Sequence, residues 1–165
     1  MEIQQLTVEH WPEVRAIYQS GLATGNANFS SQVPGWEEWD NAHLKSCRLV
    51  MTDDDKVLGW VALTAISDRC VYAGVAEVSV YVDESVRSKG IGRRLLNAIV
   101  EESEKNNLWT LEARIFAENV ASIKIHHANG FRTVGRRERI GKLNGVWRDI
   151  ELLERRSDKV GLSTV

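Results

Sequence analysis

Cysteine is scarce in this chain, and so is any excess of charge. Cys47 and Cys70 are the two cysteines and stand in no C-x-x-C spacing, which argues against a paired-cysteine zinc or redox motif and against a disulfide framework. Both read as small, reduced hydrophobes. Lys and Arg number 21 against 23 Asp and Glu, a formal net charge of -2. There is thus no global basic field for non-specific binding to nucleic acid or an anionic membrane, and an anionic ligand has to be held locally. No stretch approaches the roughly 20 apolar residues of a membrane span, and the opening M-E-I-Q-Q-L-T-V-E-H lacks an apolar signal core, so a cytoplasmic protein is expected. Internal repeats, low-complexity segments and linkers are also missing.

What is present is 165 residues, 43% of them hydrophobic and 27% charged, the size and balance of one soluble domain with one real core. A short strand around Ile3 precedes a helix whose buried stripe is Trp11, Val14, Ile17, Tyr18 and Leu22, with Pro12 tolerated in its first turn. Trp36, Trp39 and His43 mark a second helix, and C-R-L-V-M-T, the turn Asp53-Asp54-Asp55 and V-L-G-W-V-A-L-T read as a hairpin. From Ala76 to Val82 the pattern alternates strictly, with Ala76, Val78, Val80 and Val82 on one face and Glu77, Ser79 and Tyr81 on a polar one.

A helix over Ile91 to Asn106, an alternating strand through Trp109, Leu111, Ala113 and Ile115, and a short helix from about Asn119 to Asn129-Gly130 follow. Phe131 begins a strand, and Asn144-Gly145 joins it to the next as a hairpin. The order β-α-α-β-β-β-α-β-α-β-β predicts an α/β (α+β) domain over residues 1–154. A loose polar tail is expected over 155–165.

The most informative stretch is V-R-S-K-G-I-G-R-R, Val86 to Arg94, between a strand and a helix. Glycines there free backbone N–H groups to point inward, and the following helix N-terminus adds partial positive charge, which suits a phosphate or pyrophosphate. A Rossmann fingerprint would want glycine where Leu95 stands, and the Gly-Lys-Ser/Thr of a P-loop is missing. By itself the loop is equally a tight turn flanked by solvated arginines.

In its context, Arg87-Ser88-Lys89-Gly90-Ile91-Gly92 resembles the acetyl-CoA loop of the GCN5-related N-acetyltransferases, Arg/Gln-x-x-Gly-x-Gly/Ala, in letters and in placement. A-E-V-S-V-Y-V (Ala76 to Val82), N-V-A-S-I-K-I-H-H-A-N-G-F (Asn119 to Phe131), Ile17-Tyr18 and W-R-D (Trp147 to Asp149) resemble the phosphinothricin and methionine-sulfoximine acetyltransferase branch. The resemblance runs from about residue 3 to 154. It implies a mixed, mostly antiparallel sheet flanked by helices, acetyl-CoA as acyl donor, and acetylation of the amino group of a small amino-acid-like substrate by direct transfer without an acyl-enzyme. C-V-Y-A-G-V after Arg69 departs from the branch pattern. A protein N-terminus or a polyamine as acceptor, or a non-catalytic acyl-CoA-binding module, are the alternatives.

Carried onto this sequence, the resemblance implies that Val80, Tyr81 and Val82 present backbone groups to the pantetheine arm, on a strand expected to bulge or splay there. Arg87, Ser88, Lys89, Gly90, Ile91, Gly92 and Arg93 would hold the pyrophosphate, with Asn119 and Ser122 as further cofactor contacts; Asn119 is equally a helix N-cap. Glu77 is the expected base, because a free α-amino group with pKa near 8 is largely protonated at neutral pH and cannot attack a thioester until the proton is removed. The bland alternative for Glu77 is a solvated charge. His126 stands where the wider family carries a tyrosine acting as acid toward the departing thiolate. Phe29, Arg69 and Phe116 match positions expected near the acceptor, Arg69 by pairing with a carboxylate or phosphinate. Tryptophan-rich members of the branch commonly dimerise, which makes Trp36, Trp39 and Trp147 interface candidates in a homodimer. No metal, nucleic-acid or membrane partner is expected, on the composition and cysteine spacing given above.

Overall fold

A computed structural model describes residues 1–163. Eleven regular elements follow one another: β1 (Glu2–Gln5), α1 (Trp11–Ala23), α2 (Trp36–Ala42), β2 (Arg48–Asp53), β3 (Lys56–Ala65), β4 (Val75–Val82), α3 (Ile91–Lys105), β5 (Thr110–Phe116), α4 (Val120–Ala128), β6 (Arg132–Leu143) and β7 (Val146–Arg156). Short 3-10 turns lie at Val8–His10, Cys70–Tyr72 and Glu84–Val86. The seven strands form one sheet in the order β1-β2-β3-β4-β5-β7-β6. Every neighbouring pair is antiparallel except β4 with β5. That parallel pair needs a crossover, and α3 supplies it.

Alternation along the strands sorts the core into two layers. On one face Ala76 and Val78, with Val80 and Val82 partly buried, pack against Ile91, Leu95, Leu96 and Ile99 of α3. On the other, Val50, Trp60 and Ala62 meet Trp11, Val14 and Ile17 of α1 and Trp39 of α2. Gly21 brings α1 close to β4, since a Cβ there would lie 2.5 Å from the Tyr81 ring. Arg48, 5% exposed, ion-pairs with Asp40 and donates to the carbonyls of Asp40, His43 and Leu44, satisfying the C-terminal end of α2. Trp39 is 1% exposed in this layer and Trp36 packs against it, whereas Trp147 is 54% exposed. Of the three interface candidates, Trp39 is therefore core.

The expected loose tail is ordered at its start. Arg155 and Arg156 belong to β7 and pair with Leu111 and Thr110. Beyond the strand, Ser157 is buried and its hydroxyl donates to Glu104 at 3.0 Å, while Gly161 lies against Trp109. Small and polar letters concealed a docked segment; positions 164 and 165 lie outside the described residues. Among the described residues no helix is long and apolar enough to cross a membrane.

Candidate active site

A gap in the sheet makes the site. β4 pairs with β5 only over Val75–Glu77 against Thr110–Glu112, and past those rungs the two strands separate. The β3–β4 register runs unbroken from Ala65↔Ala76 to Gly59↔Val82, so the irregularity is a splay and not a bulge. Asp83 N–H donates to Leu58 O and Ile66 N–H to Val75 O, which makes the odd-numbered residues of β4 the hydrogen-bonded partners of β3. Alternation then turns the N–H and C=O groups of Val78, Val80 and Val82 into the gap. Tyr81 directs its backbone to β3 and contributes its ring, stacked on Trp60 at 4.9 Å, with its hydroxyl accepting from Asn28 Nδ2 at 2.9 Å.

The gap opens into a cleft of about 590 Å³ that runs from Glu77 along β4 to the start of α3. Two left-handed residues, Ser88 (φ +65°) and Gly90 (φ +79°), turn the chain into α3. The first helical bond of that turn is Arg94 N–H to Gly90 O, so Ile91, Gly92 and Arg93 have N–H groups with no intrahelical partner, and no side chain caps them. A Cβ at Gly92 would come within 3.2 Å of Ile125 and 3.4 Å of Val82; glycine keeps the floor between β4 and α4 open. Arg87, Ser88, Gly90, Ile91, Gly92 and Arg93 line the cleft. Lys89 is exposed and outside the lining. This donor set of free amides and guanidinium groups fits a pyrophosphate.

On the far side of the cleft Asn119 and Ser122 line its wall. Asn119 is also the N-cap of α4, accepting from Ser122 N–H at 3.3 Å, and its Nδ2 donates to Asn26 O at 3.2 Å. His126 is 2% exposed and stands edge-on to Phe131. Its Nδ1 lies 2.7 Å from Ser122 O, and a carbonyl only accepts, so Nδ1 carries the proton. Burial pushes the ring below the ordinary imidazole range, leaving it neutral with a bare Nε2.

Glu77 sits on the last paired rung, where the cleft meets a second pocket of about 220 Å³. Glu77, Arg114, Ala27 and Asn28 line both. Burial pushes the Glu77 carboxyl above the usual carboxylate range, an effect the Arg114 guanidinium opposes and Glu112 reinforces. Arg114 Nη1 binds Glu77 Oε2, and its Nη2 lies 3.5 Å from Glu112. Phe29 lines the second pocket and stands edge-on to Phe116 at 4.9 Å. Phe116 is fully buried, with Arg148 over its ring at 4.0 Å, so it supports the wall from beneath. Arg69 is exposed, lies over the Tyr72 ring at 5.7 Å and lines neither pocket. Sequence reasoning passed over Arg114, Arg148 and Asn28. Arg114 shares the alternation of Glu112 and so faces Glu77, a signal usable once β4 and β5 are known to be neighbours.

The acetyltransferase (GNAT) domain family matches residues 27–152. A phosphinothricin N-acetyltransferase of Alcaligenes faecalis is 31% identical over 150 residues, 87% of this chain and 76% of that protein. An L-methionine sulfoximine/L-methionine sulfone acetyltransferase of Pseudomonas paraeruginosa is 27% identical over 158 residues, 92% of each. Among solved structures, a ribosomal-protein-alanine N-acetyltransferase from Brucella melitensis superposes with a TM-score of 0.86 at 27% identity, covering 95% of this chain and 100% of that one.

Proposed function

The chain belongs to the acetyltransferase (GNAT) family, and on that premise we propose that this N-acetyltransferase transfers acetyl from acetyl-CoA to the α-amine of a free, amino-acid-like compound of the methionine sulfone, methionine sulfoximine or phosphinothricin type. The observation that carries the reading is the position of Glu77, among the described residues the one carboxylate that lines both the long cleft and the small second pocket. The relatives' names supply the acceptor class. A pocket of about 220 Å³ suits a single small molecule better than a polypeptide end.

Acetyl-CoA supplies a thioester carbonyl open to attack by an amine. The N–H groups of Ile91, Gly92 and Arg93, with Arg87, hold the pyrophosphate, and the gap-facing amides of Val78, Val80 and Val82 receive the pantetheine arm and the thioester oxygen. Glu77 takes the proton from the acceptor ammonium, directly or through one water, at Oε1, since Oε2 is bound to Arg114. The free amine then forms the N–C bond as the C–S bond breaks and the electron pair leaves with sulfur, and the nitrogen sheds its second proton to water, so that one proton net is released per turnover. His126 has its one N–H committed to Ser122; its role is to accept from the departing thiol at Nε2, and the thiolate's proton comes back from Glu77 or from water. Exposed Val134, Val146 and Trp147 on β6 and β7 suit a homodimer contact, which sedimentation reads.

Acetyl-CoA-dependent thiol release with methionine sulfone, methionine sulfoximine, phosphinothricin, spermidine and a short peptide in parallel tests the reading. Release with the amino-acid analogues is expected. Release only with spermidine or the peptide discards the acceptor class, and acetyl-CoA binding without release from any of the five points to a binding module.

A further inference from the structure

The acceptor pocket has charges of both signs, and they are arranged unequally. Glu77 and Arg114 stand at one end, Arg137 of β6 lines another part, and Phe29, Ile140 and Ile150 supply apolar wall. Arg114 is held by Glu77 and Glu112. Arg148 is held by Gly25, Asn26 and Glu118, and Arg136 by Glu151. The Arg137 guanidinium has no hydrogen bond or ion pair among the described residues. It is therefore the guanidinium on this wall that is free to take a ligand.

The local backbone is shaped to the same end. Arg137 pairs with Ile150, and the next pairing is Gly141 with Arg148, so Glu138, Arg139 and Ile140 stand opposite Asp149 alone. Arg139 holds φ at +45°, and its N–H donates to Asp149 Oδ1 at 2.8 Å. A bulge of this kind re-aims side chains at a site, and here it sets Ile140 beside Arg137 in the pocket wall.

We propose that Arg137 determines acceptor specificity by binding the α-carboxylate of a free amino acid whose amine meets Glu77. The inference rests on the amino-acid reading of the acceptor and reassigns to Arg137 the carboxylate contact expected of Arg69. Charge balance favours it. Glu77, Glu112 and Arg114 sum to one negative charge and Arg137 returns the site to neutrality, which a zwitterion preserves. A polyamine would set further cations beside Arg137, and a peptide N-terminus would offer it an amide in place of a carboxylate.

The test compares unmutated enzyme, Arg137→Gln and Arg137→Lys on methionine sulfone and on its methyl ester, by thiol release and by calorimetric binding of methionine sulfone in the presence of CoA. Arg137→Gln is expected to raise KM and Kd for the acid about ten- to a hundredfold, as removal of a charge-assisted bidentate contact does. The ester, a poor acceptor for the unmutated enzyme, should change less than about threefold, and Arg137→Lys should recover part of the acid's affinity. Acid KM within about twofold of the unmutated value in an Arg137→Gln protein with unchanged melting temperature overturns the inference, as does equal loss on acid and ester. If the unmutated enzyme itself acetylates no free amino acid, the acceptor reading fails, and this inference with it, before any variant is compared.

Discussion

Replacing Glu77 by Gln removes one charge and almost no volume, so it separates the chemistry from the fold. The amide oxygen of Gln still accepts from Arg114, and the pair is partly solvated, with side-chain exposures of 27% and 43%. Its loss should cost less than about 1 kcal/mol of stability. The kinetic effect is expected to be far larger, because a positioned general base contributes about 10²- to 10⁴-fold, or about 3 to 5 kcal/mol of barrier at 1.36 kcal/mol per tenfold. The pH dependence makes the test specific. Burial raises the Glu77 carboxyl, and Arg114 limits the rise, so the enzyme's base form is lost as pH falls through a value above the ordinary carboxylate range. The variant reacts only with acceptor that is already unprotonated, a fraction that grows tenfold per pH unit up to the amine's pKa near 8 or above. The ratio of kcat/KM between enzyme and variant should therefore be largest near neutrality and shrink toward pH 9.5. Thiol release from pH 6 to 9.5, with a calorimetric Kd for acetyl-CoA unchanged within about twofold, reads this. Equal kcat/KM at pH 7, or a ratio constant across the range, would remove Glu77 from proton transfer.

Two further outcomes follow from packing and titration. Burial lowers the pKa of His126, so the unfolded chain binds a proton near pH 6.5 that the folded chain refuses; the neutral ring's contribution is full above about pH 7 and is lost progressively as pH falls below 6.5 through the lower folded value. The urea midpoint should drop between pH 7.5 and 5.5, and His126→Asn should flatten part of the slope, the remainder belonging to His43, which burial lowers likewise; an unchanged slope in the variant refutes the assignment. Truncation after Glu154 removes Arg155, Ser157 and Lys159 from the Glu104 carboxylate, whose side chain is 9% exposed. About 3 kcal/mol should be lost, as for a buried charge stripped of its partners, and an unfolding midpoint equal to that of the full chain would show that the segment is dispensable.

The elements were legible because each carries a local signal. The alternation of Ala76 to Val82 and the apolar stripe of Ile91, Leu95 and Ile99 fix a strand and a helix with no knowledge of what they touch, and Asn144-Gly145 turns β6 into β7 at the expected place, with both residues at positive φ. The docking of Arg155 to Gly161 was illegible for the converse reason. Its partners, Glu104 and Trp109, lie about fifty residues back in the chain, and nothing in the letters of the tail states that a carboxylate waits for them.

The site divides in the same way. The loop from Arg87 to Arg93, the proposed phosphate site, is a run of consecutive residues whose chemistry is its own backbone, so its glycines and arginines are visible in the letters. The second pocket, the proposed acceptor site, is assembled from β4, β5, β6, β7 and the loop before α2, five segments spread from Ala27 to Ile150, and there the family resemblance led to Arg69 although the structure leaves it outside. The family resemblance places Phe116 near the acceptor but does not give its depth; Phe29 lies over it and takes the lining position. Glu77 is the exception that links the two halves. The resemblance singles it out on the polar face of an alternating strand, and it lies where parallel pairing with β5 ends. At that rung a carboxylate is partly withdrawn from water by the sheet, close to the free amides beyond it, and still open to a small second pocket. The base role proposed for Glu77 needs those three conditions together, and the end of a strand pairing supplies them.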